Sequence, residues 1–147
     1  GRQNCKYCMQ HTTPTQTINS KLQIILSLQE TTGGMPTAIE HIVLLKARPD
    51  VTPDDIERLV TGVNSLKSIP GIITITVGPT FVEEQWMSDR RDGYTHCLSC
   101  RLISKDALRV YQDHPLHAKV KTECIVPILA APPVAVDYEA EIVFGDG

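Results

Sequence analysis

The strongest constraint on the fold is the order in which strand-like and helix-like patterns follow one another along the chain. Residues 39–47, IEHIVLLKA, are apolar on both faces and carry charges only near their ends, as in a buried strand. Residues 72–77 alternate isoleucine or valine with threonine, and residues 94–103 and 134–139 also favour strands. The sequence therefore predicts four strands.

Two helical patterns separate these strands. Thr52 is a good N-cap, Pro53 suits a first turn, and apolar residues follow at helical spacing. Those apolar positions are Ile56, Leu59, Val60, Val63 and Leu66. A short helix is predicted for residues 104–111, and a further helix follows the break at residues 114–115 and runs until Pro127.

The resulting order, β-α-β-β-α-β, predicts an α+β, ferredoxin-like domain with helices on one face of a four-stranded antiparallel sheet. A length of 147 residues and a hydrophobic content of 41% suit one such domain. We expect the domain to span residues 38–139, between a disordered or extraneous tail of residues 1–37 and a C-terminal tail of residues 140–147. The first tail is basic and rich in hydroxyl groups, which fits a transit-peptide remnant or sequence upstream of a start at Met35.

Charge and hydropathy narrow the possible partners. A net charge of −3 with scattered basic residues argues against nucleic acid. The longest apolar run, residues 22–28, is too short to cross a membrane, so we expect a soluble protein. Five cysteines without disulfide-type spacing favour a reducing compartment, with the cytoplasm as the default and a plastid or mitochondrion as the alternative.

The THCLSC motif at residues 95–100 has the CxxC spacing of zinc and dithiol sites. Neighbouring side chains of a strand point to opposite faces, so positions three apart diverge. Cys97 and Cys100 are therefore predicted to be separate thiols, and we predict neither a metal nor a cofactor.

The same alternation indicates a pocket beneath the helices. His41 and Val43 share one face of the first strand, and His96 and Leu98 share one face of the third. The second helical region brings further polar side chains onto this face: Tyr111, His114 and His117. Convergent polar groups in an apolar space indicate a ligand pocket. The alternative is that the histidines are satisfied core residues and that Asp113 and His114 merely cap a helix.

The opposite face of the sheet combines small and apolar residues: Ile42, Leu44, Thr74, Thr76, Cys97, Ser99 and Ala135. Such a face is poorly suited to water. We therefore predict a homodimer in which two sheets pack face to face and close a barrel.

Three segments, IEHIVLLKA, GYTHCLSCRL and YQDHPLHAKV followed by VAVDYE, resemble the stress-responsive A/B barrel (Dabb) family from about Ala38 to Glu139. The resemblance implies a ferredoxin-like subunit that dimerises into an α/β barrel. It also implies a stress-related protein that binds a small apolar or carbonyl-containing molecule without established catalysis.

The resemblance implies an enzymatic alternative as well. A plant member, olivetolic acid cyclase, closes a linear polyketide with a tyrosine and a histidine that match Tyr111 and His117. By this resemblance His117 is the general base of a cyclase-like lyase, and Tyr111 orients the substrate oxygen. A divalent metal held by His114 and His117, beside Asp113, is a further alternative.

Overall fold

Antiparallel strands and helices alternate in the order that the sequence predicts. The computed structural model describes Gln23 and residues 34–147, and Thr37–Gly147 forms one compact unit. The strands are β1 (Thr37–Leu45), β2 (Ile72–Pro79), β3 (His96–Leu102) and β4 (Val134–Glu141). The α-helices of this unit are α1 (Pro53–Ser65), α2 (Lys105–Asp113) and α3 (Pro115–Val120). The predicted α+β class and the β-α-β-β-α-β order are confirmed.

The strands form one antiparallel sheet in the order β2-β3-β1-β4. β1 lies in the centre, where Val43 pairs with Leu98 of β3 on one side and with Ala135 of β4 on the other. Paired residues of neighbouring strands point to the same face. His41, Val43 and Ala135 therefore share the face that carries the helices.

Some boundaries differ from the prediction by two residues. β1 begins at Thr37, β3 begins at His96, and β4 continues to Glu141. Alternation alone sets the ends of strands poorly, because pairing with a neighbour decides where a ladder stops. The predicted tail of residues 1–37 lies outside the described residues, apart from Gln23 and residues 34–37.

The helix α1 begins as the sequence predicts. The Thr52 hydroxyl accepts a hydrogen bond from the Asp55 N–H, and the Asp55 carboxylate accepts one from the Thr52 N–H. This reciprocal pair satisfies two backbone donors that a helix start otherwise leaves free. Leu59 and Val63 then lie fully buried against the sheet.

The second helical layer changes direction at His114. Its backbone is extended, with ψ of 135°, because the residue before a proline avoids helical geometry. α3 restarts at Pro115 and passes into a π-helical turn, Lys121–Ile125, in which the Val126 N–H donates to the Lys121 carbonyl. A 3₁₀ turn, Val126–Ile128, follows.

The core lies between the sheet and the helices. Its fully buried side chains are Leu45, Leu59, Val63, Leu66, Leu98, Cys100, Leu102, Tyr111 and Ile128. Within residues 34–147, no helix has the length and apolar character needed to cross a bilayer.

The turn before β2 depends on Gly71. This residue has φ of +89°, and a Cβ atom built there would lie 2.5 Å from the Cβ of Ala107. We expect Gly71→Ala to lower the free energy of unfolding by about 1–3 kcal/mol, through backbone strain and overlap with α2.

The matched control is Gly78→Ala, because Gly78 lies in β2 with open space around its Cα. Urea denaturation at one fixed protein concentration compares the two variants. Equal stability of Gly71→Ala and Gly78→Ala would contradict the strain argument.

Candidate functional site

A cavity of about 200 Å³ opens between the sheet and the second helical layer. Most of its wall is apolar. Its lining residues are His41, Val43, Leu98, Tyr111, Gln112, His117, Lys121, Ile125, Val126, Leu129, Pro133 and Ala135. The walls therefore come from β1, β3, β4, α2 and the chain between α2 and β4.

His41 enters the cavity from β1 in the centre of the sheet. Its Nδ1 lies 2.5 Å from Oδ1 of Asp137, the residue that pairs with it on β4. The imidazole is 6% exposed, whereas the carboxylate lies near the surface. Since the carboxylate fixes Nδ1, Nε2 is the nitrogen available to a ligand.

Tyr111 descends from α2 and is 1% exposed. Its ring centroid lies 5.6 Å from that of His41 and 4.6 Å from that of His117. Burial, assisted by the nearby Cys100 thiol, raises the pKa of the Tyr111 hydroxyl. The hydroxyl therefore remains a neutral hydrogen-bond donor at physiological pH.

His117 lies in the first turn of α3, where the break at Pro115 turns it towards Tyr111. Burial lowers the pKa of its imidazole, and electrostatic repulsion from the side chains of His41 and Lys121 lowers it further. A hydrogen bond with the Gln112 backbone acts in the opposite direction. The neutral imidazole therefore predominates at pH 7 and is able to accept a proton.

The structure brings together five of the predicted site residues: His41, Val43, Leu98, Tyr111 and His117. It places the remaining two, His96 and His114, outside the cavity lining.

His96 is buried at the end of β3, with Nδ1 2.9 Å from the Thr95 hydroxyl oxygen, and burial lowers its pKa. His114 caps α3, since its Nδ1 accepts a hydrogen bond from the Leu116 N–H at 3.0 Å. In the alternative metal site of His114 and His117, the Nδ1 atom of His114 is therefore already hydrogen-bonded to the backbone. Over residues 34–147, no cluster of three or more potential metal ligands is present.

Several lining residues escaped the sequence argument. Lys121 and Ile125 follow His117 at intervals of four residues, and residues four apart lie on the same face of a helix. This spacing could have predicted that both residues line the cavity with His117. Ala135 was predicted on the opposite face of the sheet, and that prediction is wrong. β4 pairs with β1 in a register that sets Ala135 beside Val43, whereas its neighbours Val134 and Val136 face outward.

The cysteines of the THCLSC motif diverge as predicted. Cys100 is fully buried on the helix side of β3, and Cys97 is half-buried on the opposite side. Both are free thiols. Burial raises the pKa of Cys100 to about 12 and also raises that of Cys97. Neither thiol has the lowered pKa of a reactive cysteine.

Residues 39–140 match the model of the Stress Responsive A/B Barrel Domain family, Dabb. The chain belongs to this family. It is 29% identical over 136 residues to a stress-response A/B barrel domain-containing protein of Arabidopsis thaliana, a match that covers 91% of this chain and 49% of that protein. With a second such protein of the same plant it shares 30% identity over 90 residues, covering 60% of this chain and 41% of that protein. The chain thus spans about half the length of these A/B barrel relatives or less.

Solved structures share the fold of this chain. A dimeric ferredoxin-like protein of unknown function from Thermobifida fusca has a TM-score of 0.57 and 30% identity, covering 69% of this chain and 90% of that protein. An Arabidopsis thaliana protein, At3g17210, has a TM-score of 0.60 and 25% identity, with coverage of 72% and 98%. The hydroxynitrile lyase of Passiflora edulis has a TM-score of 0.63 at 20% identity, covers 75% and 99%, and shows the fold alone.

The lowered pKa values of His96 and His117 predict a dependence of stability on pH. In the unfolded chain these histidines have a pKa of about 6.5, and in the folded chain their pKa values are lower. As the pH drops through 6.5, the unfolded chain therefore binds more protons than the folded chain, and the free energy of unfolding falls. Above that value the two groups contribute no pH dependence.

Thermal unfolding between pH 7.5 and 5.5 measures this effect. We expect His117→Gln to reduce the loss of stability over that interval, because one of the two protonation sites is removed. An unchanged slope in this variant would contradict the assignment.

Proposed function

We propose that this chain is a stress-related, non-catalytic A/B barrel protein that binds a small, largely apolar molecule carrying a carbonyl group. The ligand occupies the cavity beside Tyr111, and the protein acts as a homodimer. We place it in the cytoplasm, in keeping with the free thiols of Cys97, Cys100 and Cys124.

One observation carries this proposal: a deeply buried tyrosine whose ring contacts two imidazoles on the wall of an apolar cavity. A cavity of this kind favours apolar ligands, and its few polar groups orient them. The neutral Tyr111 hydroxyl is suited to donate to a carbonyl oxygen. His41 and His117, which line the same cavity, offer further hydrogen bonds to such a ligand.

The volume also limits the ligand. An apolar cavity of about 150 Å³ holds a benzene molecule in an engineered protein. The present cavity, at about 200 Å³, therefore suits a single ring with a short polar substituent. A long polyketide chain would have to extend out of the cavity.

Binding of cyclohexyl methyl ketone tests the role of Tyr111. We expect Tyr111→Phe to weaken the binding of this ketone about 3- to 10-fold, because the variant loses one hydrogen bond and keeps the ring. Titration followed by protein NMR gives the affinity, and mass spectrometry of the intact protein identifies any molecule retained from the cell.

The control is Tyr94→Phe, since the Tyr94 ring packs against Lys46 and not in the cavity. We expect this variant to bind the ketone like the unaltered chain. Failure of the ketone to bind at all would overturn the proposed function.

The second candidate is a cyclase-like lyase, and the neutral His117 close to Tyr111 favours it. In this reaction His117 Nδ1 or Nε2 takes a proton from a carbon beside a carbonyl, while Tyr111 donates to the oxygen where charge develops. Incubation with linear poly-β-keto thioesters separates the candidates. Turnover that is absent in His117→Ala would establish the lyase, and turnover that survives in this variant would exclude His117 as the base.

The outer face of the sheet, on the side opposite the helices, supports the dimer. Val136 and Tyr138 of β4 are each 53% exposed there, and Val134 is 40% exposed. Ile42 and Leu44 of β1 pair with Val136 and Val134 and continue the apolar surface. An exposed apolar face of this kind marks an interface, and packing against its own copy satisfies both subunits at once.

We expect Val136→Lys to weaken dimerisation at least about a hundredfold, because two-fold symmetry introduces the buried charge twice. Val110→Lys is the matched control, since Val110 is 48% exposed on α2, away from the outer face. Sedimentation equilibrium measures both. Dimers of equal affinity in the two variants would contradict this interface.

A further inference from the structure

Lys121 is the one strongly basic residue in the lining of the cavity described above. It begins the π-helical turn, one helical turn after His117. In the chain from residue 34 onward it takes part in none of the ion pairs, whereas Lys105 and Arg101 are paired with Glu139 and Glu40. Lys121 thus lines the cavity as an exposed residue, and among residues 34–147 it has no ion-pair partner.

The rest of the lining leaves this charge uncompensated. The lining residues include neither aspartate nor glutamate. The Asp137 carboxylate, outside the lining, lies 2.5 Å from His41 Nδ1 and pairs with that imidazole. The charge of Lys121 reaches into the cavity, because it contributes to the lowered pKa of His117.

Gln112 adds a second donor at the same site. It lines the cavity from the last turn of α2, and its side-chain amide offers two N–H groups. An ammonium group and an amide together suit a planar carboxylate, which accepts hydrogen bonds at both oxygens. A phosphate dianion requires more donors and more positive charge than this site supplies.

We propose that Lys121 selects ligands that carry a carboxylate, so that the cavity takes a small organic acid with an apolar body. This inference rests on the proposed function and names its ligand class. The apolar body lies among Val43, Leu98 and Leu129, and the carboxylate lies at the mouth beside Lys121.

The test compares cyclohexanecarboxylate with cyclohexanecarboxamide, which has nearly the same shape and no charge. At pH 7.5 and low salt, we expect the 147-residue chain to bind the acid about 5- to 20-fold more tightly than the amide, as for a charge-assisted hydrogen bond. This preference is expected to shrink at high salt, because the lysine lies near the surface.

Lys121→Met removes the charge and keeps most of the apolar stem, so it is expected to abolish the preference while the amide still binds. Lys121→Arg is expected to restore it. The control is Lys119→Met, since Lys119 is exposed and lies outside the lining. Acid preference in this control is expected to match that of the unaltered chain.

Equal affinity of the unaltered chain for the acid and the amide would overturn the role of Lys121 and leave the proposed function standing. If Lys121→Met still bound the acid more tightly than the amide, the role of Lys121 would likewise be overturned and the proposed function would stand. If neither compound bound the cavity, both the inference and the proposed function would fall.

Discussion

The packing of Tyr111 against the sheet is the contact on which the site depends. The side chain crosses from α2 into the core, where it is 1% exposed and contacts the ring of His41 on β1. The same ring also contacts His117 on α3. One ring thereby fixes the distance between the sheet and two helices, and the cavity is the space that remains beside it. Aromatic side chains suit this role because they combine a large apolar area with a polar end.

The irregular second helical layer gives the cavity its opening. In one straight helix from Ser104 to Ile128, Tyr111 and His117 would point to different sides of the helix. They are six residues apart, and this spacing does not match a whole number of helical turns. The extended backbone at His114 resets the direction, and Pro115 begins a new helix. The π-helical turn that follows brings a second irregularity beside the cavity, a position where such turns are frequent in functional sites.

The two faces of the sheet have different roles. The helix face holds the core and the cavity, whereas the outer face presents Val136 and Tyr138 to the surface. The ion pair between Glu40 and Arg101, at 2.5 Å, also lies on the outer face and ties β1 to β3. A side chain of a strand therefore lies on the helix face or on the outer face according to the parity of its position in the strand.

The sequence by itself determined the order of elements and the side of each strand on which a residue of β1 or β3 lies. Both follow from local periodicity, as the divergence of Cys97 and Cys100 illustrates. The tertiary structure alone decided which histidines converge. His41 and His96 share a face, yet only His41 lines the cavity, because β3 meets β1 in a register that sets His96 beside Leu45 at the end of the sheet. Register and helix placement depend on contacts between distant segments, and no local pattern encodes them.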